Sequence, residues 1–215
     1  MNGAGEEAAS ETPQVKPFAP VGPYPVDPMP DEIAALRHGT QPVWIFAYGS
    51  LMWNPEIPFA EARPALLRGY HRAFCLYSRE YRGTPQRPGL VLGLDRGGAC
   101  RGIAYRLRPA SLAEAIDRIW CREMTGAVYE MRRLPVITAQ GRLDAYAFTV
   151  RRGGSDYAGR LSLEETARII AGSAGDRGTG RDYLANTVRH LEELGIGDGP
   201  LHRLAERVAA LSSRP

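Results

Sequence analysis

Between Trp44 and Trp53 the chain reads WIFAYGSLMW, a nearly unbroken apolar run with no helical period that pauses at Gly49 and Ser50. Such a run reads as a buried strand. Its exit turn would leave backbone N–H groups facing outward with no side chain in the way. Further along, ALLRGYHRAFCLYS, PGLVLGL and CRGIAYRLRP read as strands separated by glycine and proline, and AVYEMRRLPVIT and LDAYAFTVRR supply two more. The pattern then changes period. In SLAEAIDRIWCREM, Leu112, Ala115, Ile116, Ile119 and Trp120 repeat as on one face of a helix, and Ser111 and Glu114 have capping-box spacing. SLEETARIIAG opens with the same S-x-x-E signature, and RDYLANTVRHLEELG and PLHRLAERVAALSS complete a helical C-terminal third. Strands first and helices later, with one helix between, predict an α+β fold whose sheet is largely antiparallel.

Before this pattern begins, TPQVKPFAPVGPYPVDPMP carries too much proline for a helix or a central strand. Residues 1–30 therefore read as an extended, flexible arm, dispensable for activity. A short helix in PDEIAALRHG, ending near Gly39, opens a folded domain over residues 31–215.

Composition narrows the function classes. The 215 residues contain no run of eighteen apolar positions, and the polar start MNGAGEEAAS lacks the form of a signal peptide, so the expectation is a cytoplasmic protein with no membrane contact. Cys75, Cys100 and Cys121 are odd in number and widely spaced, which fits reduced thiols rather than a disulfide or zinc framework. The net charge is only +3, and the basic residues, a single lysine among 27, are spread along the chain, which argues against a nucleic-acid patch. His38, His71, His190 and His202 show no metal-ligand spacing, and GDRGTG lacks the form of a phosphate loop. No cofactor or metal is expected.

Two places carry candidate chemistry. At about 100° per residue, Glu123 falls within about 60° of Leu112, Ile116 and Ile119 on the helix surface. A carboxylate there faces a core or a cleft. Burial and the nearby helix C-terminus both disfavour its charge and raise its pKa toward the range of a useful base. The alternative is a frayed helix end, stopped at Gly126, with Glu123 paired to Arg122 in water. The second place is YSREYRGTPQRPG, Tyr77 to Gly89, whose arginines could present a guanidinium fork to a substrate carboxylate, with an ordinary solvated loop as the alternative.

Taken in order, FAYGSLMWNP, SREYRGTPQRPG with CRGIAYRL, and IWCREM resemble the ChaC-type γ-glutamylcyclotransferases, and GTGRDYLANTV matches the family's tyrosine-bearing segment. The likeness covers about Val43 to Gly195, leaving the proline arm and the last helix unmatched. It implies a small mixed, largely antiparallel β-barrel flanked by helices. The implied reaction is cleavage of glutathione without water, giving 5-oxoproline and cysteinylglycine. The resemblance makes Glu123 the general acid/base and has Phe46, Ala47, Tyr48, Gly49, Ser50 and Leu51 hold the γ-glutamyl group through main-chain atoms. Arg82 and Tyr183 are further pocket residues. Ala47 stands where a glycine is frequent in the family, and Tyr81 where a histidine is. Other γ-glutamyl amines as substrates, or a non-catalytic γ-glutamyl-binding module, are the alternatives, and the oligomeric state stays open.

Overall fold

The computed structural model describes residues 25–212. Most of the proline-rich arm lies outside the described residues. Five strands form a closed barrel: β1 (Trp44–Ala47), β2 (Phe59–Ser78), β3 (Gly89–Leu107), β4 (Tyr129–Thr138) and β5 (Gly141–Val150), in the order β1-β3-β2-β4-β5. All neighbours are antiparallel except β5 and β1, which close the barrel in parallel through Ile45 and Tyr146. This is the mixed, largely antiparallel barrel the resemblance implies.

All four residues of β1 are buried, which is why no polar alternation marks the strand. Its side chains divide between two clusters. Trp44 and Phe46 join Leu67, Leu94, Ala104, Val136 and Ala147, all strand residues, inside the barrel. Ile45 and Ala47 face the other way, toward the helices. There α2 (Leu112–Glu123) lays its stripe of Leu112, Ala115, Ile116, Ile119 and Trp120 on the barrel. Ile116 and Ile119 are at most 1% exposed, and such burial contributes about 2 kcal/mol for each side chain.

β2 and β3 correct the sequence reading. PGLVLGL and CRGIAYRL are not two strands but one, running through Gly97 and Gly98. Those glycines take φ of 107° and 69° at a register shift between Arg68↔Ala99 and Tyr70↔Arg96. The glycine pair is a bulge that bends a long hairpin, not a turn that ends a strand. The capping box expected at Ser111 is also absent. A 3-10 turn, Pro109–Ser111, leads into α2 and takes Ser111 out of the extended backbone a cap needs, and Glu114 instead pairs with Arg118 at 2.8 Å. At Ser162 the box forms, with both reciprocal hydrogen bonds, and opens α3 (Leu163–Gly172).

A two-strand hairpin, β6 (Ala174–Gly175) and β7 (Gly178–Thr179), leads into α4 (Gly180–Glu193), and α5 (Gly199–Ser212) packs on α3. At the other end α1 (Asp31–Ala34) continues as a 3-10 turn over Ala35–His38. The residues before α1 are not free of the domain. Val26 bridges Thr125 in antiparallel fashion, and Asp27 N–H donates to the Met124 carbonyl at 2.7 Å. Packing thus reaches back to residue 25, ahead of the boundary that proline density sets at residue 30.

Candidate active site

Glu123 is the last residue of α2, and the helix delivers it to the mouth of the barrel beside the exit turn of β1. A cleft of about 490 Å³ opens there, lined among others by Ser50, Arg82, Arg122, Glu123, Tyr129 and Tyr183. The structure thus gathers Ser50, Arg82, Glu123 and Tyr183, four residues singled out from sequence, around one space. Phe46, Ala47 and Leu51 turn their side chains into the core, at 0%, 0% and 6% exposure. Of the stretch Phe46–Leu51 that the resemblance assigns to the γ-glutamyl group, Ser50 alone lines the cleft; Phe46, Ala47, Tyr48, Gly49 and Leu51 do not. Tyr48, also buried, reaches the site through a hydrogen bond with Tyr129, whose hydroxyl donates to the Leu92 carbonyl at 2.9 Å.

The Glu123 side chain is 17% exposed, and its Oε1 lies 3.1 Å from Nε of Arg122. Both sequence alternatives are thus partly realised: the carboxylate is sunk in a cleft, and it has the arginine as partner. Burial is the larger influence and pushes the carboxyl above its ordinary range, while Arg122 pulls it back in part. Arg122 is itself only 12% exposed, and its guanidinium also donates to the Asn54 carbonyl at 2.6 Å, Glu56 Oε2 at 3.2 Å and Ser50 Oγ at 3.0 Å.

Three phenols complete the surroundings. Burial holds Tyr48 and Tyr129 well above the ordinary phenol range and pushes Tyr183 up to about 12, with the charge of Glu123 acting in the same direction on each. All three stay protonated at neutral pH, so neutral hydroxyls stand around Glu123, while Glu56, Glu80 and Asp156 also line the cleft. Tyr129 and Arg122 carry as much of the site's geometry as the residues picked from sequence. In the sequence Tyr129 sits in an ordinary strand pattern, and Arg122 figures only as an ion-pair partner.

The polar segment from Tyr77 to Gly89 forms one wall. Asp176 N–H donates to the Glu80 carbonyl at 2.9 Å and Arg177 N–H to the Tyr81 carbonyl at 3.0 Å, so the β6–β7 hairpin fastens the segment edge to edge. A Cβ on Gly175 would come within 2.0 Å of the Glu80 carbonyl oxygen, so only glycine allows this approach. Arg82 Nη1 donates to the Arg177 carbonyl and, at 3.4 Å, to that of Thr179, and its guanidinium lies over the Tyr183 ring at 4.9 Å. Arg79 is engaged by Asp156 at 2.9 Å, and Arg87 does not line the cleft.

A larger hollow of about 640 Å³ lies elsewhere on the barrel, walled by Arg72, Cys75, Asp95, Arg152, Tyr157 and Leu201 among others. It holds none of the chemistry read from sequence, and burial pushes its Cys75 thiol up to about 12, far from a reactive thiolate. Among the described residues no cluster of three or more His, Cys, Asp or Glu could hold a metal, and no helix is long and apolar enough to cross a membrane. The three cysteines are free.

Comparison with known proteins gives the family and the fold. Residues 43–211 match the family described as ChaC-like protein. The match extends beyond Gly195 through most of α5, so the last helix, unmatched in the sequence reading, lies within the family's domain. The chain is 37% identical over 178 residues to the glutathione-specific γ-glutamylcyclotransferase of Escherichia coli (strain K12), covering 82% of this chain and 77% of that protein. It is 28% identical over 214 residues to glutathione-specific γ-glutamylcyclotransferase 1 of Rattus norvegicus, covering 96% and 92%. In three dimensions it superimposes on the crystal structure of a yeast γ-glutamyl cyclotransferase specific to glutathione with a TM-score of 0.72, at 22% identity over 81% of this chain and 98% of that one.

Proposed function

The chain belongs to the ChaC-like protein family, and from that premise we propose that it cyclises the γ-glutamyl group of glutathione, with Glu123 as general acid and base. The observation that carries this reading is the Glu123 carboxylate, 17% exposed and raised in pKa by burial, which lines the same cleft as Ser50 of the strand-exit turn. The glutathione-specific relatives support the substrate.

The substrate brings its own nucleophile. Its α-amine nitrogen bonds to the γ-carbonyl carbon, the bond from that carbon to the cysteinyl nitrogen breaks, and the protons shed by the amine reach the departing nitrogen. Atoms balance without water, giving 5-oxoproline and cysteinylglycine. Closure of a five-membered ring is intramolecular, so much of the entropic cost of assembling reactants is already met. What remains is proton transfer. An α-amino group titrates near 8 in peptides, and a carboxylate raised above its ordinary range is better matched to it than a solvated one.

On this reading the turn from Phe46 to Leu51 holds the γ-glutamyl group, and Ser50 is the residue of that turn that lines the cleft. In the helical turn Ser50–Met52, the Met52 N–H donates to the Gly49 carbonyl at 2.8 Å, and the N–H groups ahead of it are the ones a helix start leaves without an intrahelical acceptor. A Cβ on Gly49 would meet only Leu92, at 3.8 Å, so packing within the protein does not call for glycine there. Close approach by a ligand does. Tyr183 and Arg82 line the same cleft, and on this reading the guanidinium, stacked on the tyrosine ring, meets a substrate carboxylate. We read the compartment as cytoplasmic, where glutathione keeps thiols such as Cys75 and Cys100 reduced.

Incubating the protein with glutathione and quantifying products tests the proposal. Equal amounts of 5-oxoproline and cysteinylglycine, with slower turnover of other γ-glutamyl amino acids, are expected. Free glutamate in place of 5-oxoproline, or binding with no product, would overturn it.

A further inference from the structure

Glu123 is the final residue of a helix, a place where chains fray and carbonyls lack internal partners. Its position has to be held by the turn Met124–Ala127. That turn has an unusual backbone: Gly126 and Ala127 both take positive φ, 70° and 55°. For alanine this is a costly region, kept only where surrounding contacts impose it. Those contacts come from residues 25–27. Gly126 N–H donates to the Pro25 carbonyl at 3.3 Å, Asp27 N–H donates to the Met124 carbonyl at 2.7 Å, and Ala127 N–H donates to Asp27 Oδ1 at 3.2 Å.

Asp27 reaches in two further directions. Its carbonyl accepts from Trp120 Nε1 at 2.8 Å, one turn before Glu123 in α2. Its Oδ2 lies 3.8 Å from Arg151 Nη2, and that guanidinium donates to the Tyr129 carbonyl at 3.4 Å. One residue thus fastens the last turn of α2, the strained turn after Glu123, and the strand that carries Tyr129.

We propose that Asp27 is a positioning residue for Glu123, and that the segment Pro25–Pro30 is a strap holding the carboxylate at its working distance from the β1 exit turn. This rests on the reading of Glu123 as the acid/base. Asp27 does not line the cleft, so it acts on turnover through the placement of Glu123 and not through substrate contact. A displacement of about 1 Å at a reacting group costs on the order of a hundredfold in rate, so partial loosening of the strap is measurable.

The test uses the full chain, with 5-oxoproline release from glutathione and thermal melts measured for Asp27→Ala, Asp27→Asn and Glu123→Gln. The Ala variant is expected to lose about tenfold or more in kcat with KM within about twofold. Asparagine still offers an acceptor to Ala127 N–H and should restore most of kcat. If Glu123→Gln is inactive while Asp27→Ala keeps wild-type kcat, the positioning role is refuted and the acid/base reading stands. Equal losses of kcat in the Ala and Asn variants, tracking lowered melting temperatures, would also refute it, as a merely structural contact. Retained turnover in Glu123→Gln would overturn the acid/base reading and the strap's role together.

Discussion

Arg122 Nε lies 3.1 Å from Oε1 of Glu123, its neighbour in the chain, while Nη2 of the same guanidinium donates to Ser50 Oγ at 3.0 Å. Adjacent residues within a helix point away from one another. The pairing is possible because the helix ends at Glu123 and the chain turns off there. Through this one guanidinium the carboxylate is tied to the exit turn of β1.

Replacing Glu123 by glutamine keeps size and hydrogen-bonding capacity but removes basicity. kcat should fall by about two to four decades while substrate affinity persists. Stability responds in the opposite sense. Burial raises the carboxyl in the folded state, so between its ordinary range and the raised value the native protein binds more protons than the unfolded chain, and stability falls as pH rises. The cost is absent at low pH and full above the raised value. Melts should therefore show Glu123→Gln gaining on the wild type as pH rises above the ordinary carboxylate range, and a variant less stable throughout would contradict the burial argument.

The elements most legible in the sequence are those whose stability comes from side-chain burial in a fixed period. The apolar stripe of α2 predicts a helix over 111–124, and the observed helix is Leu112–Glu123. Features built from backbone contacts leave a fainter trace. The β3 bulge at Gly97 and Gly98 has the composition of a turn, because positive φ is what both require. The pairing of residues 25–27 with 124–127 uses mostly main-chain groups, so only its prolines show, and they point the other way. At the site, Glu123 stands out as a charge on an apolar face. Tyr129 belongs to the site through its neighbours in space, which no local pattern records.

The larger hollow is structural, and Asp95 provides the check. Burial alone would raise its carboxyl, but Arg152 at 2.7 Å, the Tyr157 hydroxyl at 2.9 Å and the Arg96 amide at 2.8 Å outweigh it and hold it below the ordinary range. A depressed value means stability that is present above the ordinary carboxylate range and lost as pH falls through the folded one. Asp95→Asn should cost about 2 kcal/mol at pH 7, with the deficit shrinking in acid and kcat on glutathione changing less than about twofold.

Arg82 links the polar segment to the β6–β7 hairpin and stacks on Tyr183 at 4.9 Å. Lysine keeps the charge but neither the planar stack nor the fork. Arg82→Lys should reduce kcat/KM about tenfold with the fold intact by circular dichroism. Unchanged kcat/KM would return the segment to the role of an ordinary loop.

Arg122→Gln isolates the other half of the tie between helix and turn. In the wild type, burial raises the Glu123 carboxyl and Arg122 partly offsets it, so losing the guanidinium moves the carboxyl higher still. Tyr48, Tyr129 and Tyr183, whose phenols burial and the charge of Glu123 itself hold up, are neutral across the neutral range and do not compensate. As a base Glu123 works only when ionised, so the acid limb of the kcat/KM profile should shift to higher pH. The variant's deficit should be largest on the acid side of the profile and narrow as pH rises, with the remainder reflecting lost contact to Ser50 and the Asn54 carbonyl. A loss uniform across that range would assign Arg122 to holding the turn alone, with no electrostatic hand in the chemistry.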